Sequence, residues 1–200
     1  MLVTLVLLGL LSAAGIAVGI AGSRRAGTST AEPPGSQFEG AILPPRVRAP
    51  DFSLRDENGR AITMREFRGR PLVVTFLYSH CKNTCPVEAQ QIKGALDDLS
   101  QPVPALAVSV DPANDTPASV RRFNAEQNVT GRIRWALGPP AVMRRLWKRF
   151  AVTGQSHVAE HMSLILLVDR RGFERVGFAP QQTTPERLAH DISVLLRERS

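Results

Sequence analysis

The chain has 200 residues, 43% hydrophobic and 22% charged, a balance that fits one folded domain with extensions and excludes general disorder. Its two cysteines, four positions apart, exclude a multi-disulfide scaffold and a four-cysteine zinc site but allow a local dithiol or metal pair. The net charge of +7 is interspersed with acids, as in Arg65-Glu66-Phe67-Arg68, which reads as a solvated basic surface, with docking to an acidic partner or membrane as the alternative. No nucleic-acid motif is present.

Residues 2–22 carry no charge and are rich in Leu, Val, Ile, Ala and Gly. A helix of roughly 20 apolar residues crosses a bilayer core, so residues 1–22 are expected to be a single transmembrane anchor, a cleaved leader being the alternative. No Lys or Arg precedes the segment, and Arg24 and Arg25 follow it. The positive-inside tendency would therefore leave the C-terminal part in the cytoplasm. Residues 23–45, with Gly, Ser, Thr and Pro and few large apolar groups, read as a flexible linker.

From residue 46 to 200 the pattern is globular. Asp51–Leu54 and Ala61–Met64 flank Glu57-Asn58-Gly59, a hairpin turn. Pro71–Tyr78 is an apolar, β-rich run of the kind buried on both faces of a sheet. The cysteines follow, then a helix with Pro86 suited to its first position. Val103–Val110 reads as a second buried strand, Thr116–Asn128 as a helix opened by Pro117, and Ile133–Leu137 as a short strand before a helix over Ala141–Phe150. Leu164–Val168 and Glu174–Phe178 form a hairpin across Arg171-Gly172. The last helix opens at Thr184-Pro185-Glu186 and places Leu188, Ile192, Leu195 and Leu196 on one face. Strands alternating with helices, closed by a hairpin and a helix, predict an α/β sandwich of thioredoxin-like order with an N-terminal hairpin.

Cys81-Lys82-Asn83-Thr84-Cys85 sits between a buried strand and a helix start. Unpaired N–H groups and the positive dipole end there stabilise a thiolate, which is both the nucleophile and the metal ligand. His80 and Lys82 are placed beside Cys81 where either could add positive charge and favour the thiolate further. Thioredoxins proper have two residues between their cysteines and a Trp before the first. Here three intervene and Ser79-His80 precedes, which argues against a general thioredoxin. The Thr/Ser-x-x-Cys pattern of a peroxidase is also not in place before Cys81.

At these residues the chain resembles the Sco family (SCO1/SenC), membrane-anchored factors for assembly of the dinuclear copper centre of cytochrome c oxidase. Leu77-Tyr78-Ser79-His80-Cys81-x-x-x-Cys85-Pro86 is similar to the family's Thr-His-Cys-x-x-x-Cys-Pro block. Ser109-Val110-Asp111-Pro112-Ala113-Asn114-Asp115-Thr116-Pro117 resembles its Ser-Val-Asp-Pro-x-x-Asp-Thr-Pro block. His161, before an apolar strand ending at Asp169 with Gly172 in the turn, resembles its distal-histidine block. The spacer Lys82-Asn83-Thr84 replaces a more usual Pro-Asp-hydrophobic one, and Met162 stands where a Ser commonly follows the histidine.

The resemblance implies copper, as Cu(I), Cu(II) or both, held by Cys81, Cys85 and His161. Soft Cu(I) prefers thiolate, and Cu(II) accepts imidazole together with sulfur. It also implies delivery to a copper-receiving subunit of the oxidase by a monomeric domain tethered extracytoplasmically through the N-terminal helix, opposite to the vote of Arg24 and Arg25. The alternative is a thiol–disulfide reductase, using Cys81 and Cys85 as catalytic residues, that keeps a partner's cysteines reduced. His157 is a nearby competitor for His161 and reads as a loop residue, as His190 reads as solvent-facing. Met162, Trp135 and Trp147 read as packing residues. Asp115 is expected to cap the helix at Pro117, and Asp111 to order the turn.

Overall fold

The structure is a computed structural model that describes residues 37–151 and 164–198. The expected anchor, most of the linker, His157, His161 and Met162 lie outside the described residues. Among the described residues no helix is long and apolar enough to cross a membrane.

The Pro71–Tyr78 run forms β4 (Leu72–Leu77), and all six of its residues are buried. Its side chains alternate between two cores, which explains why the run is apolar throughout. Val73 and Leu77 join one core with residues of α1 (Thr84–Asp97), α2 (Pro117–Glu126) and α4 (Pro185–Arg197), including Ile92, Phe123 and Ile192. Leu72, Val74 and Phe76 join the other with α3 (Pro140–Arg149) and the hairpin of β2 (Ser53–Arg55) and β3 (Ala61–Thr63), through Met143, Leu146, Leu54 and Ile62. The predicted sandwich is therefore the observed one.

Six strands make the sheet, in the order β1-β8-β7-β4-β5-β6, where β1 is Ala41–Ile42, β5 Ala105–Ser109, β6 Ile133–Ala136, β7 Ile165–Val168 and β8 Glu174–Phe178. β5 and β6 run parallel to β4, and β7, β8 and β1 add antiparallel neighbours on its other side. The parallel half brings the C-terminal ends of β4 and β5 side by side, fastened by Val110 N–H donating to Leu77 C=O at 3.0 Å. Such strand ends, where βα connections emerge, are where α/β folds assemble their sites.

Three sequence-based expectations need correction. The flexible linker does not extend to residue 45. Phe38 is buried in the core, Ala41 and Ile42 pair with Gly177 and Val176, and the Asp191 carboxylate on α4 accepts from Glu39 N–H at 2.8 Å and Gly40 N–H at 2.9 Å. What fixes this segment lies about 150 residues away in sequence, so local composition gave no sign of it. The first long helix starts at Thr84, so Pro86 occupies its third position and Cys85 is already helical. Proline is tolerated there because first-turn N–H groups have no intrahelical acceptor. Finally, Asp115 does not cap α2. Thr116 does, its hydroxyl accepting from Ser119 N–H at 3.1 Å while Ser119 Oγ accepts from Thr116 N–H at 3.0 Å.

Candidate metal centre

Past the end of β4 the chain turns through Tyr78, Ser79 and His80, closed by Cys81 N–H donating to Tyr78 C=O at 3.3 Å. The turn delivers Cys81 against the first turn of α1. There its sulfur accepts from Cys85 N–H at 3.2 Å and lies 3.5 Å from Thr84 Oγ1. Both cysteines are free thiols, and both are nearly covered, Cys81 at 6% and Cys85 at 2% exposure. His80, Lys82, Asn83 and Thr84 around them are exposed.

The two sulfurs are electrostatically unlike. Burial pushes the Cys81 thiol up, but hydrogen bonds from the Cys85 thiol, the Thr84 hydroxyl and the Cys85 and Asn83 amides outweigh it and bring its pKa down to about 7. Burial pushes Cys85 far above the ordinary thiol value, reinforced by the neighbouring Cys81 and the charge of Glu88. Near neutrality Cys81 thus supplies a thiolate and Cys85 stays a thiol until something displaces its proton. That asymmetry serves attack on a disulfide, and it equally serves a soft metal whose binding releases the second proton. Among the described residues no three Cys, His, Asp or Glu side chains gather as a metal cluster. The expected third ligand, His161, lies outside the described residues.

Behind the turn is a polar support that sequence reasoning assigned wrongly. Asp115, itself buried, receives Ser79 N–H and Ser79 Oγ–H on Oδ1, both at 2.7 Å, and Ser109 Oγ–H on Oδ2 at 2.5 Å. It ties the residue two before Cys81 to the end of β5. Burial raises the Asp115 pKa even against these donors. Asp111 orders the intervening turn as expected, its carboxylate accepting from Asn114 Nδ2 at 2.9 and 3.0 Å. Glu88, one turn after Cys85, was missed altogether; Thr75 Oγ1 on β4 donates to its buried carboxylate. An acid among the apolar positions of a helix was the available sign. Trp135 and Trp147 are core residues as read, and Trp147 Nε1 donates to Ser109 C=O at 2.9 Å. His190 is partly exposed, with Nδ1 at 2.9 Å from Asp191 Oδ1. A cleft of about 710 Å³ lined by Asp56, Glu57, Arg60, Glu66, Arg121 and Arg134 contains neither cysteine.

A dithiol at the strand-to-helix turn of this sheet defines a thioredoxin-like α/β domain with a three-residue spacer between its cysteines. The family model for SCO1/SenC matches residues 43–197, and the chain belongs to that family. The mitochondrial SCO2 homolog of Bos taurus is 35% identical over 78 residues, 36% of this chain and 29% of that protein. The chain thus spans about a third of the length of the curated relatives it matches, 34% in the case of SenC from Rhodobacter capsulatus. Bradyrhizobium japonicum ScoI, solved with copper bound, superposes with a TM-score of 0.60 at 27% identity, covering 74% of this chain and 99% of that one. BsSco, solved in work on a disulfide switch and described as a member of the Sco family of cytochrome c oxidase assembly proteins, gives 0.68 at 18% identity over 79% and 99%.

Proposed function

We propose that this chain is a copper chaperone that holds the ion through Cys81, Cys85 and His161 and delivers it to a copper-receiving subunit of cytochrome c oxidase. The observation that carries the reading is the buried, unequal thiol pair of a SCO1/SenC domain, one sulfur at about 7 and the other held protonated. Two thiolates and an imidazole suit both oxidation states of copper in a low-coordinate site from which the ion can leave. A related ScoI carries copper in its structure, which supports the metal. The domain works at the extracytoplasmic face of a membrane, tethered by residues 1–22, and as a monomer.

The experiment is copper titration of the purified domain against its His161→Ala variant. About one copper per chain is expected, with Cu(II) binding lost in the variant while exchange with a small disulfide persists. Unchanged Cu(II) affinity in His161→Ala would defeat the chaperone reading.

The same asymmetry supports the second reading, a thiol–disulfide reductase acting on the cysteines of the copper-receiving partner. Cys81 attacks the partner disulfide, its sulfur forming the new S–S bond as the partner's leaving sulfur takes up a proton. Cys85 then loses its proton, attacks Cys81 and releases the second partner thiol, so two electrons pass from this pair to the partner. Cys85→Ala would trap the mixed disulfide, which non-reducing electrophoresis detects.

A further inference from the structure

Cys81 and Cys85 are only 6% and 2% exposed, so an ion passing to or from a partner gains from a donor at the surface before it meets them. His80, directly before Cys81, is exposed. Its Nδ1 lies 3.2 Å from Ser79 Oγ, and the state of that contact follows from the hydrogens around it. Ser79 Oγ has one proton and two closer acceptors, Asp115 Oδ1 at 2.7 Å and Ser119 Oγ at 2.9 Å. Asp115 Oδ1 also receives Ser79 N–H, so it accepts rather than donates there. With the hydroxyl proton drawn inward, Ser79 Oγ offers His80 a lone pair. The imidazole therefore carries its hydrogen on Nδ1 and leaves Nε2 as an open donor. A ring nitrogen becomes a metal ligand in this way, its partner nitrogen held by a second hydrogen bond. The other exposed side chains of the turn do not compete. The Lys82 ammonium has no lone pair, and the hydroxyl of Thr84 and the amide of Asn83 are poor matches for a soft ion.

We propose that His80 Nε2 is a transit ligand for copper, binding the ion briefly at the surface as it passes between a partner and the buried thiols, with Ser79 and Asp115 setting its tautomer. This rests on the copper reading above and adds to it a residue outside the Cys81, Cys85 and His161 set. A transit ligand lowers the barrier in both directions, so its loss slows loading and release together.

The test follows Cu(I) loading from, and release to, a chromogenic Cu(I) chelator by stopped flow in the wild type, His80→Ala and Ser79→Ala, with imidazole nitrogen NMR of the copper-free proteins in mildly alkaline buffer. His80→Ala is expected to slow both directions by a common factor of several-fold. NMR should show His80 protonated on Nδ1 in the wild type and shifted toward the Nε2–H form in Ser79→Ala, which should share part of the slowing. Unchanged rates in His80→Ala overturn the proposal. So does faster release alone, which would mark a resident ligand, and so does a wild-type His80 protonated on Nε2. A wild type that takes up no copper instead defeats the copper reading itself, and that measurement is made before any variant is compared.

Discussion

Two buried carboxylates, Asp115 in the loop after β5 and Glu174 in β8, are partnered very unequally. Asp115, beside the dithiol turn, is met by three donors, Ser79 N–H, Ser79 Oγ–H and Ser109 Oγ–H. Glu174, opening β8 and facing Val168 across the β7–β8 register, is buried with Oε1 unpartnered among the described residues. Burial alone pushes its pKa up to about 7. Burying a carboxyl costs free energy that hydrogen bonds can return, and of these two only Asp115 receives that return on both oxygens. The polar interior near the cysteines is a bracing structure. The polar group in β8 is a burden that the domain carries.

The largest effect should come from Asp115→Ala, which strands three donors behind the cysteine turn. A loss of about 3 kcal/mol in denaturant unfolding is expected, with Cys81 alkylation altered as the turn relaxes. A loss below about 0.5 kcal/mol would dissolve the distinction between the two carboxylates.

Glu174 should act in the opposite sense. In the folded chain it keeps its proton to about pH 7, whereas unfolded it releases it near the ordinary value of 4.5. Its contribution to stability is complete below about 4.5 and drains away as the pH rises through about 7. Glu174→Gln is therefore expected to gain at most roughly 3 kcal/mol above that range and nothing in acid, flattening the profile between. No gain at any pH would show that the carboxyl is compensated after all.

The smallest effect belongs to Ser109→Ala, which removes one of the three donors and raises the Asp115 pKa further. A cost of about 1 kcal/mol in thermal unfolding is expected. Neutrality there would place the bracing on Ser79 alone.

How much of this was legible follows the range over which each interaction acts. The β4 run, the α2 and α4 openings at Pro117 and Pro185, and the β7–β8 hairpin are written in consecutive residues, and they fold as read. So is the setting of the cysteines, because a strand-to-helix turn is a local object. The docking of residues 38–42 was hidden, because Asp191 and β8 supply it from the far end of the chain. Asp115 misled for a subtler reason. An acid one residue ahead of Thr-Pro fits the grammar of a helix cap, and only the fold shows that Thr116 has that duty while Asp115 reaches back 36 residues to Ser79. The inequality of the thiols was likewise beyond reach, since it depends on which sulfur the packing covers and which receives the amides.

The strap formed by Phe38 to Ile42 has a mechanical consequence. It joins the sheet as its outermost strand, with β8 and β7 between it and β4. Tension on the chain ahead of it would fall first on the antiparallel bonds to β8 and on the Asp191 clamp. The cysteine turn hangs from β4, with β8 and β7 between it and the strap, so along the sheet that load reaches it only after both. A domain held by its N-terminal end could thus be tugged or tilted while its thiols keep their geometry.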